Sequence, residues 1–227
     1  MEINKIYNED CIKEIDKIEN ESIDMIFTDP PYKLVTGGRK NSMLKDTHDT
    51  PFSKDGECFE HKTPEFKDWI PKLFSKLKND RYIFIMTNDR NMREIWDLCE
   101  NSGFRFCELL VMDKGKGVPS TYFFKSCEFI LMFMKGKYRR FNNFGIKTVF
   151  SVDLPRGKNK IHPTEKSVKM IEDIITSVTF ENEIVFDPFI GSGSTAVACI
   201  NTNRNYIGFE IEEKYCKIIE DRLSALR

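Results

Sequence analysis

The chain predicts an α/β domain built on a mainly parallel sheet with helices on both faces. Three observations carry this reading. Short apolar runs without polar alternation, such as Ile23 to Thr28, Tyr82 to Thr87 and Ile184 to Asp187, read as strands buried on both sides. Between most of them lie segments whose apolar residues recur at the spacing of one helix face. A length of 227 residues suits a single domain over 1–227 with a small insertion, and leaves no room for two full-sized domains.

Taken in order, Ile12, Ile15 and Ile18 mark a short helix, and strand Ile23 to Thr28 runs into Asp29-Pro30-Pro31-Tyr32 as its exit loop. From 33 to 63 the chain is polar and rich in Gly, Lys, Asp and Thr, a loop of a length usually tied to function or mobility. Phe66, Trp69, Ile70, Leu73, Phe74 and Leu77 share a helix face that Pro71 is expected to kink. Strand Tyr82 to Thr87 follows, then a helix marked by Met92, Ile95, Trp96 and Cys99 and stopped by Gly103. Phe104 to Met112 and Glu128 to Met134 read as further strands. After a basic stretch, Val168, Ile171, Ile174, Ile175 and Val178 line a helix, for which Thr164 in His162-Pro163-Thr164-Glu165-Lys166-Ser167 is the expected N-cap. Strand Ile184 to Asp187, a Gly-rich turn, helix Ser194 to Asn201, strand Tyr206 to Ile211 and a helix through Leu226 complete the chain.

Composition narrows the function classes. Hydrophobic residues at 40% and 19 Phe supply a core, which excludes disorder as the dominant state. No run approaches the length of a bilayer span and no apolar signal segment opens the chain, so a soluble, cytoplasmic protein without membrane contact is expected. Seven Cys without a CxxC pair suit a reducing compartment. The net charge of −1 hides a polarised chain: 112–160 holds 11 Lys/Arg against 3 acids, a local +8 that would draw a polyanion.

Two segments carry chemistry. Asp187-Pro188-Phe189-Ile190-Gly191-Ser192-Gly193-Ser194-Thr195 joins a strand to a helix, where glycines allow close backbone approach and the helix start offers free N–H groups. Glu210, at the end of the next strand, is placed to accept hydrogen bonds from ligand hydroxyls. No Lys follows the glycines, so a phosphate-gripping P-loop is excluded. Asp29-Pro30-Pro31-Tyr32 leaves the carboxyl end of a strand, the edge where parallel sheets bind ligands. Its prolines remove two N–H donors and leave carbonyls beside a carboxylate and a ring, a site that accepts hydrogen bonds and stacks.

Asp-Pro-Pro-Tyr, then His-Pro-Thr-Glu-Lys-Ser, then Asp-Pro-Phe-x-Gly-Ser-Gly-Ser-Thr, in that order, resemble the β class of S-adenosylmethionine-dependent DNA amino-methyltransferases. The resemblance runs from Asn8-Glu9-Asp10-Cys11 to Gly208-Phe209-Glu210-Ile211. It implies a Rossmann-like methyltransferase fold, S-adenosylmethionine as cofactor, double-stranded DNA as substrate and a restriction-modification setting. It assigns catalysis to Asp29, Pro30, Pro31 and Tyr32. It assigns cofactor binding to Asp187, Phe189, Gly191, Gly193, Ser194 and Thr195, to Glu210 and Ile211 at the ribose, to Asp10 and Cys11 near the adenine ring, to Asp29, and to Thr164, Lys166 and Ser167 closing the site. Asp in the first motif position favours adenine N6 over cytosine N4, again by resemblance.

The chain departs from the family pattern at Lys33, where many members have Asn, at Ser167, where many have Pro, and in its short 136–161 segment, where a larger target-recognition region is common. Recognition would then be short, or shared with the 33–63 loop, a homodimer partner or a second specificity subunit. Methylation of cytosine N4 or RNA, and a catalytically silent DNA-binding subunit, are the competing readings. A nicotinamide dehydrogenase would share the Gly turn and Glu210 but leave Asp29-Pro30-Pro31-Tyr32 unexplained. His48, Cys58 and His61 form too weak a pattern for a metal site, and no metal is expected.

Overall fold

A computed structural model describes residues 1–31, 63–118, 122–143, 145–152 and 166–226. Strands β1 (Lys5–Tyr7), β2 (Ile23–Thr28), β3 (Leu77–Thr87), β4 (Arg105–Val118), β5 (Lys125–Lys135), β6 (Val149–Ser151), β7 (Ile184–Asp187) and β8 (Asn205–Phe209) form one sheet in the order β1-β8-β7-β2-β3-β5-β4-β6. Every neighbouring pair is parallel except the two made by β5, which runs against β3 and β4. The other strands therefore all end at one edge of the sheet, and β5 begins there. The expected mainly parallel sheet is present, with one reversed strand that needs no crossover helix because a hairpin joins it to β4.

Alternation along the central strands feeds two cores. Tyr82, Phe84 and Met86 of β3 point to one side, and Ile83 and Ile85 to the other. Helices α1 (Cys11–Glu14), α2 (Ile70–Lys76) and α3 (Met92–Asn101) cover the second side through Ile15, Leu73, Ile95 and Cys99. Helices α4 (Val168–Val178), α5 (Ser194–Asn201) and α6 (Glu213–Ser224) cover the first through Ile171, Ile174, Ala198 and Ile219. The sheet order reverses between β7 and β2, which leaves a crevice at their carboxyl ends, where ligands bind in such folds.

Several expectations need correction. The helix expected to kink at Pro71 is two pieces: a 3-10 turn over Phe66–Asp68, then α2 with Pro71 in its first turn, where a missing N–H costs nothing. Leu77 belongs to β3, because helical spacing cannot distinguish a last helix residue from the first inward residue of a strand. The N-cap of α4 is Ser167, whose hydroxyl accepts from the Met170 N–H at 3.4 Å; Thr164 lies outside the described residues. Strand β8 stops at Phe209, so Glu210 and Ile211 are loop. Strands β1 and β6 escaped the sequence reading because each has three residues, too few to show a period.

The 136–161 segment, as far as it is described, spans the whole sheet. Its start lies at the edge opposite the crevice: Tyr82 Oη donates to the Arg139 carbonyl at 2.6 Å, and the Arg139 guanidinium meets Glu183, which immediately precedes β7, at 3.6 Å. Its later part forms β6 and rejoins the carboxyl edge beside Asp113.

Candidate active site

Four adjacent parallel strands, β1, β8, β7 and β2, each end in or just before a carboxylate: Asp10, Glu210, Asp187 and Asp29. In-register pairing of Asp187 with Gly208 and of Tyr7 with Phe209 sets the first three side by side, and Ile26 paired with Phe186 brings β2 level with them. Asp10 caps α1 by accepting from the Ile12 N–H at 3.0 Å, and the buried Cys11 begins that helix, its thiol pushed up by burial.

The loop after β7 is organised by its own first residue. Asp187 Oδ1 accepts from the Phe189 N–H at 3.1 Å and Oδ2 from the Thr195 hydroxyl at 2.6 Å, so one carboxylate ties the strand end to both sides of the glycine turn. Gly193 has φ +78°, and a Cβ there would stand 2.7 Å from Ile219 Cγ2 of α6. Arg222 of α6 donates to the Ser192 carbonyl at 2.9 Å, bracing the turn from the other side. The Phe189 ring packs edge-on against Trp69 with centroids 5.1 Å apart.

Burial pushes the Asp187 carboxyl up to about 7, against the pull of Thr195 and the Phe189 N–H. Burial likewise pushes Glu210 up to about 7, against the Glu212 N–H that it holds at 2.8 Å. Neither carboxylate has a cationic partner among the described residues. The Asn8 amide donates to the carbonyls of Glu210 and Ile211 at 2.9 and 3.1 Å, which fixes this turn to the start of the chain.

Asp29 is bound into a chain of ions. Lys166 Nζ lies 2.7 Å from Asp29 Oδ2 and 3.1 Å from Glu128 Oε2, and Lys114 Nζ lies 3.0 Å from Glu128 Oε1. Burial raises the Asp29 carboxyl above the usual carboxylate range, and Lys166 offsets part of that rise. Glu128 is held below the usual range, since Lys166 and Lys114 together outweigh its burial. Pro30 is buried and Pro31 half-buried next to it. The Ser194 hydroxyl donates to the Lys166 carbonyl at 3.3 Å, linking this ion chain to the glycine turn.

The structure thus brings together Asp10, Cys11, Asp29, Pro30, Pro31, Lys166, Ser167, Asp187, Phe189, Gly191, Gly193, Ser194, Thr195, Glu210 and Ile211 at one sheet edge. Tyr32, Thr164, the 33–63 loop up to residue 62, and His48, Cys58 and His61 lie outside the described residues. Glu128 and Lys114 were missed. They sit across the β4–β5 hairpin in no motif, and the available signal was a charge opening the otherwise apolar strand Glu128 to Met134.

A model of a family described as DNA methylase matches residues 23–221. The chain is 32% identical over 235 residues to the type II methyltransferase M2.LlaDCHI of Lactococcus lactis subsp. cremoris, covering 95% of this chain and 87% of that protein. It is 31% identical to the type II methyltransferase M.HinfI of Haemophilus influenzae, over 99% of this chain and 69% of that one. Among solved structures, the M1.HpyAVI–SAM complex superposes with a TM-score of 0.74 at 25% identity, covering 96% of this chain and 98% of the other.

Proposed function

Because the chain belongs to the DNA methylase family, we propose that it transfers the methyl group of S-adenosylmethionine to the N6 amino group of adenine in double-stranded DNA. The observation that carries this reading is the position of Asp29: it leaves β2 at the reversal of strand order, next to the glycine turn that follows β7. An acceptor for an amino group therefore stands beside a cofactor cradle.

The residues present fit the cofactor. Asp187 is a buried and Glu210 a half-buried carboxylate, neither with a cation among the described residues, and both are suited to ligand hydroxyls and to a ligand bearing positive charge. The glycine turn leaves room for backbone approach. Bound S-adenosylmethionine supplies an electrophilic sulfonium methyl group. In our assignment Asp10 and Cys11 adjoin its adenine ring, Glu210 and Ile211 its ribose, and Asp187, Phe189, Gly191, Gly193, Ser194 and Thr195 its methionine part.

An exocyclic amino group is a poor nucleophile because its lone pair is delocalised into the ring. Asp29 and the Pro30 carbonyl each accept one amino N–H, which localises the lone pair and aims it for in-line attack. Lys166 engages Asp29 through Oδ2 and favours its ionised form against burial, and we assign Oδ1 to the amino group. The proton leaves after transfer, so no strong base is required. The base must leave the duplex to reach Asp29, and Tyr32 is assigned, by family resemblance, to stack on it. Recognition of flanking bases is assigned to the 33–63 loop and the part of 136–161 that rejoins the carboxyl edge.

The test is direct. Unmodified duplex DNA is incubated with the purified chain and methyl-labelled S-adenosylmethionine, digested, and the labelled nucleoside identified. Label in N6-methyldeoxyadenosine is expected. Label in N4-methyldeoxycytidine or only in RNA would move the activity to those substrates, and DNA binding without transfer would make the chain a silent subunit.

A further inference from the structure

The β4–β5 hairpin runs past its neighbour. Strand β3 stops at Thr87, opposite Phe129, whereas β5 begins four residues earlier at Lys125, which pairs with Val118. At about 3.3 Å per residue the paired strands stand roughly 13 Å beyond the end of β3, on the edge that carries Asp29. Their base is fixed to that edge: Glu128 and Lys114 belong to the Asp29 ion chain, and Lys125 Nζ reaches the Asp89 carboxylate oxygens at 2.6 and 2.9 Å. Across the hairpin, Gly117 lets Phe124 close in, since a Cβ at Gly117 would stand 2.5 Å from Phe124 Cβ.

The far end of this braced element carries exposed aromatic residues. Tyr122, Phe123 and Phe124 are 89%, 85% and 72% exposed, whereas Phe27, Phe84, Phe133, Phe186 and Phe209 are all buried. The exposed rings of Tyr122 and Phe124 mark a contact surface. Lys116, exposed on the same hairpin, adds a charge that suits a phosphate backbone. Flat apolar rings beside a cation, on the sheet edge that carries Asp29, fit a base stack.

We propose that the hairpin tip is a DNA wedge: the rings of Tyr122 and Phe124 enter the duplex at the target, occupy the stack that the base vacates, and hold the base in the Asp29 pocket. This inference rests on the reading of the chain as a DNA methyltransferase. It separates a function for 122–124 from methyl transfer itself.

The experiment compares two substrates once the target is known from base-modification sequencing. One is a fully paired duplex. The other places the target base opposite an abasic site, where it has no pairing partner and leaves the stack at lower cost. At saturating S-adenosylmethionine, the Tyr122→Ala/Phe124→Ala variant is expected to lose about ten- to a hundredfold in single-turnover methylation of the paired duplex, the scale of one or two lost stacking contacts. It should retain near wild-type rates on the abasic substrate, while Tyr122→Phe/Phe124→Tyr, which keeps both rings, should retain both activities. Equal losses on the two substrates, or no loss on the paired duplex, would overturn the wedge. Wild-type protein that transfers no methyl group to either substrate would overturn the underlying reading instead.

Discussion

The ammonium of Lys166 lies 2.7 Å from the carboxylate of Asp29 and ties the entry of α4 to the exit of β2. A carboxylate in this position is useful as an acceptor only while ionised, yet burial pushes it toward the neutral acid. Lys166→Met leaves the burial and the repulsion from Glu128 opposed only by the more distant Lys114. The acid limb of single-turnover methylation, measured at saturating S-adenosylmethionine, should then move to higher pH. An acid limb at the wild-type position would show that Lys166 does not control the ionisation of Asp29.

Asp29→Asn tests the same carboxylate from the other side. It keeps one acceptor oxygen and the side-chain shape but loses the charge. Removal of one preorganised electrostatic group costs about 2 to 4 kcal/mol in transition-state stabilisation, so methyl transfer should slow by roughly 30- to 1000-fold with S-adenosylmethionine affinity little changed. Near-normal transfer by Asp29→Ala would remove this residue from the mechanism.

The two cofactor-side carboxylates predict a pH dependence of stability. Asp187 and Glu210 bind protons more tightly in the fold than in the open chain, with folded values of about 7, well above the ordinary carboxylate range. Their stabilising contribution is complete below pH 4 and is lost as pH rises toward 7. The protein without cofactor should therefore gain melting temperature when pH falls from 8 to about 5.5, and Asp187→Asn should reduce that gain. S-adenosylmethionine, which favours the ionised carboxylates, should raise the melting temperature more at pH 8 than at 5.5. A larger ligand-induced shift at the lower pH would contradict this.

How much of this was legible in the sequence depends on the range of each interaction. Strand β2, β7 and helices α4 and α5 were read correctly because their apolar patterns are continuous over several residues. Asp29, Asp187 and Glu210 announced themselves through local motifs at strand ends, and the fold then set them along one edge. Glu128 was silent, because its role depends on β5 running antiparallel and on Lys166 arriving from a segment 38 positions later. The charge count over 112–160 pools residues that the sheet sends to opposite edges. Lys114, Lys116 and Lys125 stand on the Asp29 side, whereas Arg139 is engaged with Glu183 at the amino end of β7 and lies 4.9 Å over the Phe180 ring.

The glycine turn offers a stability test independent of catalysis. Gly193→Ala must adopt φ +78° and place a methyl group 2.7 Å from Ile219 Cγ2. The left-handed backbone costs about 1 to 2 kcal/mol and the crowding about 1 to 3 kcal/mol. Urea unfolding should show a destabilisation in that combined range, with weaker S-adenosylmethionine binding. An unchanged midpoint would mean that the turn relaxes away from α6.

The division of the basic segment between two edges makes the last prediction. Neutralising a phosphate contact lowers the slope of log affinity against log salt by about 0.9, because one fewer counterion is released from duplex DNA. Lys116 is exposed on the hairpin that overhangs the Asp29 edge, so Lys116→Ala should lower the slope by about one unit. Arg139 sits near Tyr82, five residues and about 17 Å along β3 from Thr87 at the catalytic end. Arg139→Gln should leave the slope unchanged and instead cost stability through the lost Glu183 contact. The two variants must therefore separate: one changes DNA binding at constant melting temperature, the other melting temperature at constant slope. A slope lowered by Arg139→Gln and untouched by Lys116→Ala would place the duplex on the opposite edge of the sheet, too far from Asp29 for an extruded base to reach it.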